Sequence, residues 1–215
     1  MISHIHLLRS IPTQFIHREK WRISDSPIML LTGLSGSGKT YAGKIISEEK
    51  NTTLISLDAL KFYEAANLSS RQAVDEFVKI YPEITHLISI HWAQDDNANT
   101  NDTKYTDYSL KFFDFVYSSA IRTRTMLIIE GIQIFVRIPW ERAINIPLGI
   151  IGTSGVVSFF NFYKRDYVME HNHQQLGSMW QEFRLHHSLR RKRLNQFIDF
   201  INEQSSGIEA VRKFV

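Results

Sequence analysis

Cysteine is missing from all 215 residues of this chain, which excludes disulfides, thiolate nucleophiles and cysteine-based zinc sites. Its absence fits a reducing compartment, and a cytoplasmic location is the expectation. No run of 18 or more apolar residues occurs, so no bilayer-spanning helix and no membrane partner are expected. The opening residues, Met1-Ile2-Ser3-His4-Ile5-His6-Leu7-Leu8-Arg9, are too polar for a secretory signal. Charge of one sign is scarce as well. A net charge of +3 argues neither for nucleic acid nor for a membrane surface. The tetrapeptide N-K-x-D, by which GTPases read guanine, does not occur. Internal repeats, low-complexity tracts and an inter-domain linker are also lacking. The expected organisation is therefore an N-terminal extension over 1–27, packed on a single domain over 28–215.

What is present is ordinary in bulk and specific in one place. Apolar residues make up 43% and charged residues 22%, enough for a real core. The run Gly33-Leu34-Ser35-Gly36-Ser37-Gly38-Lys39-Thr40 fits the P-loop pattern G-x-x-x-x-G-K-[ST]. It follows the apolar Ile28-Met29-Leu30-Leu31 and precedes a helical segment, the strand–loop–helix context the pattern requires. Glycines let successive backbone N–H groups turn inward toward phosphate oxygens, and the helix behind adds its N-terminal donors. Lys39 brings a mobile charge to the outer phosphates and Thr40 a hydroxyl for Mg²⁺. The expected nucleotide-binding residues are Gly33, Ser35, Gly36, Ser37, Gly38, Lys39, Thr40 and Tyr41, with ATP and Mg²⁺ as cofactors.

The rest of the chain reads as strands alternating with helices. Ile5, Leu8, Ile11, Phe15 and Ile16 have a weak helical spacing broken at Pro12. His4 and His6, without neighbouring carboxylates, read as incidental. Tyr41 to Lys50 reads as a helix with Ala42, Ile45 and Ile46 inward. Thr52 to Leu57 is a buried strand. It stops at Asp58, either a functional carboxylate on the same sheet edge as the loop or a helix cap. A helix starts at Ser69-Ser70 and ends before Pro82, and Ile84 to Ala93 fits a further short helix. Gln94 to Lys104 reads as a polar loop with His91, Asp95 and Asp96 at its mouth. Leu110, Phe113, Val116 and Tyr117 give a core-facing helix ending near Arg124. Thr125 to Ile129 is the central strand, ending in Glu130-Gly131, where a second Mg²⁺-directed carboxylate is expected. Pro147 to Gly152 is the fourth strand, followed by a helix with Val157, Phe160 and Phe162 inward. A final helix spans about 178–202 and carries Arg184, Arg190, Arg191, Lys192 and Arg193. That basic cluster is a solvated face, a polyphosphate clamp with Arg165, or a nucleic-acid surface. Interleaved strands and helices predict a parallel α/β sheet with helices on both faces.

Three segments together carry a family resemblance: Gly33 to Thr40, Leu54-Ile55-Ser56-Leu57-Asp58 with Tyr63, and Ile128-Ile129-Glu130-Gly131-Ile132. They resemble the uridine kinase group of P-loop kinases, within the nucleoside and nucleotide kinase-like superfamily. The resemblance implies a three-layer P-loop NTPase fold with an arginine-containing lid, and an activity that moves the γ-phosphate of ATP to a small-molecule hydroxyl. It implies Asp58 as the catalytic base, Glu130 as a magnesium or substrate ligand, and Arg165 as a lid arginine touching the phosphates, and the expected catalytic residues are Lys39, Asp58 and Arg165. Two departures leave the acceptor open. Ala59-Leu60-Lys61 follow Asp58 directly, and the proline-tyrosine-aspartate segment of that group has no match around Tyr105-Thr106-Asp107-Tyr108. Zeta-toxin-like kinases, which act on a sugar nucleotide, share the layout. The competing readings are a nucleotide-dependent switch or ATPase with a protein or nucleic-acid partner, and a kinase fold that has lost its acceptor site. Oligomeric state stays open between monomer and homo-oligomer.

Overall fold

The apolar strand runs meet in one five-stranded sheet of order β1-β5-β2-β4-β3. The computed structural model describes residues 14–17, 27–85, 101–144, 146–152, 155–161 and 176–204. The strands are β1 (Gln14–His17), β2 (Ile28–Gly33), β3 (Thr53–Ser56), β4 (Leu127–Glu130) and β5 (Leu148–Gly152). β2 pairs in parallel with both β4 and β5, and β3 in parallel with β4. These four follow the α/β expectation. β1 is a departure on two counts: Phe15 and Ile16 lie in a strand rather than a helix, and that strand runs antiparallel to β5. A four-residue strand gains its definition from the partner it borders, and its own spacing carries little signal.

Helices cover both faces. α1 (Lys39–Lys50) lays Ala42 and Ile46 on Met29, Leu31, Leu54, Ile128 and Ile151. Ile45, expected inward, is exposed, and Ala42 and Ile46 alone of the three pack against this cluster. The opposite face carries the larger core. There Ile28, Leu30, Ile55, Ile129 and Ile150 meet Phe77, Phe112, Phe113, Leu194, Phe197 and Ile198. Those side chains come from α2 (Leu68–Ile80), α3 (Asn101–Thr123) and α6 (Leu176–Gln204). The sheet thus lies between two helical layers.

Local chemistry sets several boundaries. Asn67 caps α2, its Oδ1 accepting from the Ser70 amide at 2.7 Å while its Nδ2 donates to the Leu54 carbonyl at 3.1 Å. Ser70 Oγ in turn accepts from the Ser56 amide at 2.8 Å, tying the end of β3 to α2. Residues 101–104, expected in a loop, begin α3; their polar composition hid the helix because it sits ahead of the apolar stripe. The remainder of that loop expectation, with His91, Asp95 and Asp96, and most of the short helix from Ile84 to Ala93 lie outside the described residues, as do His4 and His6. Two short helices complete the frame, α4 (Gln133–Val136) and α5 (155–161). In α5, Ser158 and Phe159 are buried while Phe160, expected inward, is 61% exposed. Phe162 lies outside the described residues.

Candidate functional site

Strand register brings the expected carboxylates to the Gly-rich loop. Glu130 stands level with Leu31 of β2 on one side and Ser56 of β3 on the other. Asp58 follows two residues after Ser56, inside a 3-10 turn spanning Leu57–Leu60. Its carbonyl accepts from the Lys61 and Phe62 amides, both at 2.9 Å. Asp58 is therefore not the N-cap of a long helix, and its side chain turns elsewhere: Oδ1 accepts from Gln133 Nε2 at 3.2 Å.

Gly33–Thr40 connects β2 directly to α1. Its glycines sit where other residues would not. Gly36 has φ +75°, and a Cβ there would lie 2.2 Å from the Ser158 carbonyl oxygen. At Gly33 a Cβ would lie 2.3 Å from the carbonyl oxygen of Ile151. The loop is held from the β5 side as well, Asn161 Nδ2 donating to the Gly36 carbonyl at 2.8 Å and Arg190 Nη1 to Ser35 Oγ at 3.1 Å. Gly38, with φ +88°, precedes α1, and its carbonyl accepts from the Ala42 amide at 2.9 Å. Behind it α1 presents N-terminal amides that have no partner within the helix.

Polar side chains converge on this edge. Lys39 is 7% exposed and Glu130 is 1% exposed. Thr40 Oγ1 donates to Glu130 Oε1 at 3.1 Å. Burial pushes the Glu130 carboxyl above the ordinary carboxylate range; the Lys39 ammonium and hydrogen bonds from Ser56 and Thr40 pull the other way, and Asp58 adds to the rise. Glu130 Oε2 and Ser37 Oγ are both buried without a hydrogen-bond partner. A buried acceptor in that state costs free energy until something meets it.

The donor set fits Mg²⁺ with a polyphosphate. That ion keeps several waters and takes one or two carboxylates plus phosphate oxygens; Thr40 and Glu130 supply hydroxyl and carboxylate, and Glu130 Oε2 is the unmet acceptor. Among the described residues no group of three His, Cys, Asp or Glu side chains gathers to hold a metal by itself, so phosphate oxygens would have to complete the shell. Of the expected site residues, Gly33, Ser35, Gly36, Ser37, Gly38, Lys39 and Thr40 form one connected loop, joined through Thr40 to Glu130. Tyr41 points to solvent at 58% exposure and is not drawn into the site. Arg165 lies outside the described residues.

The basic cluster on α6 divides. Arg184 and Lys192 are exposed, Arg193 stacks 4.4 Å from the Trp140 ring centroid, and Arg190 reaches the loop. Sequence reasoning did not find Gln133, Ser56 or Asn161, whose roles depend on partners far along the chain. No helix among the described residues is long and apolar enough to cross a membrane. No protein-family model matches the chain, and no curated protein or solved structure matches it.

Proposed function

We propose that this chain is an ATP- and Mg²⁺-dependent phosphotransferase that moves the γ-phosphoryl group of a nucleoside triphosphate to a hydroxyl of a small molecule in the cytoplasm. One observation carries the reading: the Thr40–Glu130 hydrogen bond links the Gly-rich loop to a buried carboxylate on the adjacent parallel strand. A surface turn rich in glycine and serine has no need of that link. In this reading the loop amides and Lys39 hold the phosphates, while Thr40 and Glu130 hold the cation. Mg²⁺ supplies charge neutralisation at the transferring group. Asp58 accepts the proton as the acceptor oxygen bonds to the γ-phosphorus, and the bond from that phosphorus to the β–γ bridging oxygen breaks to release the nucleoside diphosphate. Gln133, through its bond to Oδ1, orients that base. Arg165 keeps the lid role that the family resemblance implies.

The test is purified protein with ATP and Mg²⁺, with and without fractionated metabolite pools. ADP release that depends on one fraction supports transfer. Slow hydrolysis that no metabolite accelerates but a macromolecular partner does would support the nucleotide switch instead.

A further inference from the structure

Gln133 has more hydrogen-bonding capacity than its bond to Asp58 uses. The backbone that brings it there is fixed on both sides. Gly131 follows β4, its amide donating to the Leu31 carbonyl at 3.1 Å and its carbonyl accepting from Thr32 Oγ1 at 2.8 Å. A Cβ at Gly131 would stand 3.2 Å from Leu57 Cβ and 3.5 Å from Asp58 Oδ1, so the bare glycine lets α4 start against the turn that holds Asp58. Beyond α4 the Arg137 amide donates to the Gln133 carbonyl at 2.8 Å, and Arg137 Nη1 donates to Thr106 Oγ1 of α3 at 2.8 Å. An ionised carboxylate only accepts, so the Gln133 amide turns its nitrogen to Asp58 and its oxygen elsewhere. That oxygen, Oε1, is buried and has no hydrogen-bond partner among the described residues, in a residue only 6% exposed. Orienting Asp58 needs the nitrogen alone. An unmet buried acceptor beside it is costly until a donor arrives.

We infer that Gln133 Oε1 reads a second donor on the phosphate acceptor, which makes the substrate a vicinal diol or a 1,2-amino alcohol. The inference rests on the phosphotransferase reading above and narrows its substrate class. Gln133 occupies Asp58 Oδ1, so the hydroxyl to be phosphorylated faces Oδ2. The two side chains are in direct contact, and donors that meet both therefore stand on neighbouring carbons. A lone alcohol satisfies Asp58 and leaves Oε1 unmet, which is how a buried polar group rejects an analogue lacking one donor.

The test isolates, from metabolite fractions, the compound whose phosphorylation by the unaltered chain accompanies ADP release, and locates the new phosphate by NMR. A hydroxyl or amino group on the carbon next to the phosphorylated one is expected. A product with neither would overturn the inference while leaving phosphoryl transfer intact. Kinetics then compare that compound with its analogue lacking the neighbouring group, in the unaltered chain and in Gln133→Met, which keeps the length but has no amide oxygen. In the unaltered chain kcat/KM is expected to fall about tenfold or more for the analogue, whereas Gln133→Met is expected to use the two compounds within about twofold of each other. Loss of the bond to Asp58 slows the variant with both compounds alike, so the ratio reports Oε1. An unaltered chain that does not discriminate, or a variant that discriminates as strongly, would overturn the inference. If the unaltered chain transfers phosphate to no fraction, the phosphotransferase reading itself falls and takes the inference with it.

Discussion

Replacing Gly36 by alanine tests the loop geometry directly. Gly36 has φ +75°, a conformation that costs an L-residue about 1–2 kcal/mol. The new Cβ would also meet the Ser158 carbonyl oxygen at 2.2 Å and its carbonyl carbon at 2.9 Å. These are backbone atoms of α5, so relief requires moving the helix or the loop rather than rotating a side chain. Overpacking of that kind costs about 1–3 kcal/mol, giving a total near 2–5 kcal/mol for Gly36→Ala. Gly38 supplies the control. It too is left-handed, at φ +88°, but nothing lies within 4 Å of its Cβ position, so Gly38→Ala should cost only the backbone share of about 1–2 kcal/mol. Urea unfolding of both variants at one pH separates the two contributions. The Asn161 bond to Gly36 and the Arg190 bond to Ser35 lie within the displaced region, so Gly36→Ala should lose ATP affinity as well. Equal stability of the two variants would mean instead that α5 does not press on the loop.

Two further outcomes follow from the carboxylates. Asp58→Asn should keep ATP affinity within about twofold while acceptor-dependent ADP release falls by about 100-fold or more, the scale of a lost general base; isothermal titration and a coupled ADP assay check the two halves. For Glu130, burial raises the folded-state pKa, so its contribution to stability is full below the unfolded value of about 4.3 and is lost as pH rises through the folded value. Glu130→Gln should therefore match the unaltered chain in acid and become the more stable of the two toward neutral pH, read as the difference between urea midpoints along a pH series. A difference that is flat, or that grows toward acid, would contradict the burial argument.

The loop was legible because its pattern is local: Gly33, Gly38, Lys39 and Thr40 stand at fixed spacing between an apolar run and a helix. Glu130 was legible for a similar reason, as a charge ending a strand too apolar to hold one casually. Its closeness to Thr40 follows from β2 and β4 being neighbours, which no local window reveals. Asp58 was placed on the correct edge, but its partner Gln133 is 75 residues away. The Arg190 contact was hidden for the same cause, and within a cluster of five basic residues nothing in the sequence marks Arg190 from its neighbours. β1 failed from the opposite direction. Four residues with two apolar side chains fit a helix or a strand equally, and only pairing with β5 decides. Phe160 shows the limit of aromatic content as a burial signal, since its neighbour Phe159 takes the buried position against Trp180 and Phe183.

In the proposed reading, amides and an ammonium group at the β2–α1 junction enclose a triphosphate. Titrating ATP and Mg²⁺ into the unaltered chain and into Lys39→Met measures it most directly. Saturable binding is expected for the first, and a loss of about 10- to 100-fold for the second with the fold intact. Equal affinity of the two proteins, or no binding by either, would contradict it.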